Sequence, residues 1–236
     1  MSKGHNNGKR SGCQAARIAL VNICRIVLFM AFIPSGFVKA IDPLGTQYKI
    51  QDYLGALGLG GVIPDWVTLT TSVLLSGLEF TLGVLFLLAT VRVVASRLTV
   101  ALMSVMTVIT IWLYIANPIS DCGCFGDAIH LSNGQTLLKN IVLLAAAVVV
   151  AWKPKDMIRL LSKGNSGLVL NYSGLFILIC SGYSLYYLPP FDFRPYHIGA
   201  NIEEGMTIPE GAPQPEFKTT FVMKKDGQTK EFTLEE

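Results

Sequence analysis

An all-α integral membrane protein is the fold class this sequence predicts, and three observations predict it. Five long stretches hold almost no charge, and about 18 apolar residues are enough for a helix to cross a hydrocarbon core of roughly 30 Å. Charged residues make up only 15% of the 236 positions and apolar residues 51%, whereas an ordinary soluble domain carries about 25% charged. Lysine and arginine gather in alternate connections between the stretches, as the positive-inside bias of membrane proteins requires.

Residues 1–16 are polar and rich in glycine and asparagine, and read as a mobile cytoplasmic tail. The first span runs from Ile18 to Val38 around Arg25. Lys3, Lys9 and Arg10 precede it as they would a signal peptide, but it is too long and lacks a small-residue cleavage site, so it reads as a retained helix. A long connection, Asp42 to Asp65, follows; its Ile50, Tyr53, Leu54, Leu57, Leu59 pattern predicts a short amphipathic helix at the interface, ended by Gly58, Gly60, Gly61 and Pro64. The second span, Trp66 to Val91, contains Glu79; the third, Leu98 to Ala116, contains no charge. The fourth, Thr136 to Trp152, is apolar after Lys139, and the fifth, Gly167 to Leu188, is uncharged. From Pro189 onward the composition is that of a soluble segment. There Phe217 to Met223 and Lys230 to Leu234, either side of Asp226-Gly227, predict a β-hairpin.

Placing the N-terminus inside puts ten cations (Lys3, Lys9, Arg10, Arg17, Arg92, Arg97, Lys153, Lys155, Arg159 and Lys163) on the inner side and four (Lys39, Lys49, Lys139 and Arg194) on the outer. The bias predicts an N-terminus in the cytoplasm and, after five spans, a C-terminus outside; the expected setting is the inner membrane of a bacterial envelope, where outside means the periplasm. The domain organisation that follows is a tail at 1–16, a four-helix transmembrane domain at 17–155, a basic loop and fifth helix at 156–188, and an extracytoplasmic segment at 189–236. The lipid bilayer is the first partner; with a net charge of +3 and no dense basic block among aromatics, nucleic acid is excluded as one.

Chemistry concentrates at Asp121-Cys122-Gly123-Cys124-Phe125-Gly126-Asp127, at the outer end of the third span. Two cysteines one residue apart close a small strained ring, which glycine between them permits, and a strained disulfide is easily reduced. Asp121 and Asp127 oppose thiolate formation, so a cation is needed nearby; Lys139 and His130 are the local ones. A structural staple is the other reading of the pair. A metal site is not predicted, because two sulfurs and His130 fall short of the four ligands a structural zinc takes. Cys13, Cys24 and Cys180 read as an inner thiol and two packed side chains.

Within the spans, Glu79 is the costly residue, since an intramembrane carboxylate turns to the bundle interior and takes a partner. Counting helix rises from the span ends pairs it with Arg25, either as a structural ion pair or as a proton or quinone-headgroup site. Lys39 reads as a lysine snorkelling to the interface, with Asp42-Pro43 marking the helix exit; its alternative role is a cation for Cys122 and Cys124. Asn140, beside Lys139, reads as a residue satisfying backbone near the loop.

The run Arg25, Ser35-Gly36, Lys39, Asp42-Pro43 in a first helix resembles the DoxX-like membrane proteins. Glu79 in a glycine-rich second helix, then Cys122-Gly123-Cys124-Phe125-Gly126 and Lys139-Asn140, resembles the MauE (methylamine utilisation) branch of that superfamily, over roughly residues 17–155. The resemblance implies a four-helix core to which this chain adds a fifth helix and a tail. It also implies a part in disulfide formation or electron transfer in the cell envelope, with a thioredoxin-like protein or domain as partner. The tail from Tyr196-His197-Ile198-Gly199 is similar to longer envelope proteins that continue into such a domain, and the chain is expected to stop before it.

Two functions follow as expectations. One is a thiol–disulfide oxidoreductase or electron relay with Cys122 and Cys124 as the reacting pair, Lys39, Lys139, Asn140, Asp121 and Asp127 in support, and a quinone as the one cofactor to consider. The other is a non-enzymatic scaffold anchoring an extracytoplasmic assembly, with the same pair as a staple.

Overall fold

The computed structural model describes residues 4–117, 123, 131–161, 163–191, 199, 201, 220–225 and 228–233. Six helices occupy the first of two compact units, Met1–Arg194. They are α1 (Gly4–Ile41), α2 (Pro43–Ala56), α3 (Asp65–Leu88), α4 (Arg92–Ala116), α5 (Asn133–Trp152) and α6 (Ser166–Tyr186). All but α2 are long and apolar enough to span a membrane, so the protein is an all-α, multi-pass membrane protein. The polar start of the chain departs from expectation: α1 reaches back to Gly4, because a helix already nucleated by the apolar span propagates at one residue per added bond. Likewise α4 begins at Arg92, six residues before the uncharged run.

The second unit, Pro195–Glu236, holds an antiparallel pair, β1 (Thr220–Lys225) and β2 (Gln228–Thr233), in register from Thr220↔Thr233 to Lys225↔Gln228. The predicted hairpin is there, with both strands running up to the dipeptide; Asp226 and Gly227 themselves lie outside the described residues.

The first unit is inside-out relative to a soluble domain. Ile115 is 77% exposed, and Met30, Val105, Val108 and Leu178 are exposed as well, whereas Ser76, Thr99 and Thr136 are fully buried. In a bilayer this is the stable arrangement: the lipid is as apolar as leucine, and small residues let helices approach. The approach is closest between α1 and α3. A Cβ on Gly36 would stand 2.8 Å from Phe80 Cα, and one on Gly83 would stand 2.8 Å from the Ile33 nitrogen. Helix α1 packs against α3 on one side and α5 on the other, α4 lies against α5, and α6 covers α3. The core between them contains Leu28, Phe32, Leu82, Phe86, Leu143 and Ala147.

Helix α2 lies along the first part of α3. Asp42 caps it by accepting from the Gly45 nitrogen at 3.0 Å, with Pro43 in its first turn. Its most buried face is polar, Thr46 and Gln47, and Gln47 Nε2 donates to the Asp65 carbonyl and to Thr68 Oγ1. Ile50, Tyr53 and Leu54 are half-buried, and Leu57 and Leu59 are exposed. The predicted helix therefore forms, with its polar face docked.

At the other end, the segment after α5 is sewn to two helices. Arg17 bridges Asp156 at 2.7 Å. Asn22 donates to the Asp156 carbonyl and accepts from the Ile158 nitrogen. Arg92 Nη1 donates to the carbonyls of Lys155 and Met157.

Candidate functional site

The α1–α3 contact decides which charges meet. With Gly36 against Phe80 and Gly83 against Ile33, Glu79 comes level with Ser35 and Lys39, one helical turn apart on α1. Lys39 Nζ donates to both carboxylate oxygens of Glu79, at 2.7 and 2.8 Å, and Ser35 Oγ donates to Oε2 at 2.7 Å. Lys39 is 5% and Glu79 7% exposed.

Two expectations are corrected here. Lys39 does not snorkel to the interface: α1 ends at Ile41 while α3 continues past it, so the last turn of α1 is inside the bundle. Arg25 is not the partner of Glu79 either. It stands 14 residues from Lys39, about 21 Å along α1, and its Nη1 donates to the Ile158 carbonyl at 2.5 Å. Counting from span ends missed this because α1 and α3 are offset along their axes. Glu79 lies about 21 Å along α3 from Asp65 and about 14 Å from Leu88, so the pair sits well within the span.

Beside the pair is a cavity of about 50 Å³. Ser35, Lys39 and Glu79 line it with Lys139 and Asn140 of α5, and Ala31, Phe32, Met103, Met106 and Leu143 form its apolar wall. Asn140 is buried, and its Nδ2 donates to Thr110 Oγ1 of α4 at 3.3 Å, so it joins two helices rather than satisfying loop backbone. The cavity thus brings together Lys39, Glu79, Lys139 and Asn140, which the sequence offered as separate features. Ser35 is the addition to the lining, and its spacing from Lys39, one helical turn, was the available signal; Thr110, outside the lining, enters only through its bond with Asn140. An apolar cavity needs about 150 Å³ to take benzene, while a water needs about 10–15 Å³. As it stands the cavity suits a few waters and is too small for a quinone ring.

Cys122 and Cys124 lie outside the described residues, as do Asp121, Asp127 and His130; the residues that hold their loop do not. Asn117, in the left-handed region at φ 43°, ends α4, and its Oδ1 accepts from Asn133 Nδ2 of α5 at 2.9 Å. A capping box starts α5: Ser132 Oγ accepts from the Gln135 nitrogen, and Gln135 Oε1 accepts from the Ser132 nitrogen. Gly123, between the cysteines, is buried at φ 61°. A Cβ there would stand 2.8, 3.1 and 3.4 Å from Cγ, Cδ and Cε of Lys49 on α2. The backbone angle favours glycine, while the Lys49 stem, a flexible side chain, could swing away from an added carbon. Lys49 was not among the cations the sequence suggested for the cysteines, because nothing in its local pattern distinguishes it. Among the described residues no group of acidic, cysteine and histidine side chains has the makings of a metal site.

These features define a class: a multi-pass helical membrane protein with an ion pair buried between its first two spans and a cysteine-bearing loop anchored at the base by its third and fourth. The family described as methylamine utilisation protein MauE matches residues 17–153. The chain belongs to that family, which covers the first four spans and leaves α6 and the hairpin unit outside the match. No curated protein and no solved structure matches the chain.

Proposed function

We propose that the protein carries out thiol–disulfide exchange in the cell envelope through Cys122 and Cys124. The observation that carries this reading is the seat of Gly123: buried, left-handed and crossed by the stem of Lys49. The backbone joining the two cysteines is held in a conformation only glycine adopts easily, and the neighbouring cation is the charge a thiolate needs. In the oxidising direction, a thiolate of a thioredoxin-like partner attacks one sulfur of the Cys122–Cys124 disulfide. The other sulfur leaves as thiolate and takes a proton. The partner's second thiol then attacks the mixed disulfide, so the partner departs oxidised and this chain keeps two thiols, two electrons richer. The Lys39–Glu79 pair locks α1 to α3 and holds the bundle on which the loop rests. The cation distribution supports an orientation with the N-terminus in the cytoplasm and the cysteine loop outside.

Trapping tests the reading. Cys122→Ser and Cys124→Ser, expressed separately in native membranes, are each assayed for a mixed disulfide by non-reducing electrophoresis and mass spectrometry. At least one is expected to accumulate a dithiothreitol-sensitive adduct with a thioredoxin-like protein. Lys49→Met in that background is expected to slow alkylation of the remaining thiol about tenfold at neutral pH, as loss of about one pKa unit of thiolate stabilisation would. No adduct from either variant, with full function retained by Cys122→Ala/Cys124→Ala, would identify the pair as a staple and the protein as a scaffold.

A further inference from the structure

A second cavity lies at the arginine- and lysine-rich end of the first unit, about 16 Å along α4 from the Met103 wall of the first. It measures about 560 Å³ and is lined by Val91, Arg92, Val93, Val94, Lys155 and Arg159. Three cations face it and no carboxylate does. The nearby Asp156, outside the cavity lining, is bridged by Arg17 at 2.7 Å. Arg92 is held in place through Nη1, on the carbonyls of Lys155 and Met157 at 2.8 and 2.6 Å. Among the described residues nothing takes its Nε or Nη2, which leaves donors of a planar, phosphate-matching fork. Val93 and Val94, in the first turn of a membrane-spanning helix, are exposed beside these charges.

We propose that this cavity binds the headgroup of an anionic phospholipid, its phosphate among Arg92, Lys155 and Arg159 and its acyl chains along Val93 and Val94. The volume falls in the range of small-molecule sites, roughly 300–1,000 Å³, and is far larger than a single ion requires. Cations above an apolar helix face, at the end of a span, complement a lipid that is anionic at its head and apolar below. The inference is independent of the thiol chemistry.

The test is native mass spectrometry of the full chain in detergent, titrated with phosphatidylglycerol or with phosphatidylcholine of the same acyl chains. Wild type is expected to retain phosphatidylglycerol at least tenfold more tightly. Lys155→Ala/Arg159→Ala, at two exposed positions, is expected to weaken it roughly thirtyfold, about fivefold for each cation. Lys155→Arg/Arg159→Lys should keep the affinity, and Arg97→Ala, an exposed cation on the same helix but outside the cavity, should change it less than threefold. Equal retention of the two lipids would overturn the proposal. So would an Arg97→Ala loss as large as that of the double variant, which would mean diffuse attraction, or displacement of the lipid by inorganic phosphate in the millimolar range, which would mean a free-anion site.

Discussion

Lys39 and Glu79 are the residues whose roles changed most between sequence and structure. A carboxylate inside a span must find a cation, so that Glu79 is paired was legible; which cation it takes was not, because two were in reach along one helix and side-chain counting does not fix the offset between helices. Once paired, neither can be altered alone. Glu79→Gln leaves an ammonium buried among helices without a counter-charge, and breaking a buried pair from one side costs about 3–5 kcal/mol. Thermal unfolding in detergent should show that loss, and Lys39→Met/Glu79→Leu should recover most of it, since apolar replacement of both partners removes the desolvation cost with the attraction. A Glu79→Gln variant as stable as wild type would contradict the pairing at 2.7 Å. Gly123 is the opposite case: a glycine between two cysteines suggested a relaxed ring, and its demanding position against Lys49 came from packing between segments far apart in sequence.

Among the elements, α1 and α3 carry the site because they touch backbone to backbone. Gly36→Ala puts a methyl carbon 2.8 Å from Phe80 Cα; there is no side chain to swing away, so the helices must separate. Overpacking of this kind costs about 1–3 kcal/mol, and the same separation draws Lys39 away from Glu79. Unfolding experiments should find Gly36→Ala destabilised by that amount. Gly174→Ala on α6, where nothing lies within 4 Å of the added carbon, should be neutral or slightly stabilising, as alanine favours helix over glycine. Equal effects at the two positions would mean the α1–α3 approach is looser than described. Helix α6 adds to this pair from outside, stacking Phe176 on Phe80 with ring centroids 5.2 Å apart and on Phe37 at 6.2 Å. The existence of each span was readable from its run of apolar residues. Helix ends moved, since caps and continuation depend on hydrogen bonds the hydropathy pattern does not encode: α5 starts at Asn133, behind its Ser132 cap and three residues before the span expected from Thr136.

For the whole molecule, the lysine and arginine bias predicts that the start of α1 faces the inner side of the membrane. Cys13, exposed near the start of α1, tests that orientation. In a variant with Cys122 and Cys124 changed to serine, a membrane-impermeant maleimide should label Cys13 in inside-out vesicles and leave it unlabelled in sealed right-side-out ones. The reverse pattern would invert the orientation and place the cysteine loop in the cytoplasm, where a standing disulfide is rare. The cation bias behind this prediction is a sum over loops, which is why it can be read without knowing how any helix packs.

The sequence by itself determined the class of protein, the five candidate spans among the described residues, the hairpin and the family, because hydrocarbon thickness, strand alternation and local motifs act on contiguous residues. Only the tertiary structure decided that Lys39 rather than Arg25 meets Glu79, that Lys139 and Asn140 join them around one cavity, and that Lys49 crosses Gly123. Those contacts depend on the axial offset and close approach of helices that side chains from distant segments set together, and no window of contiguous residues contains that information.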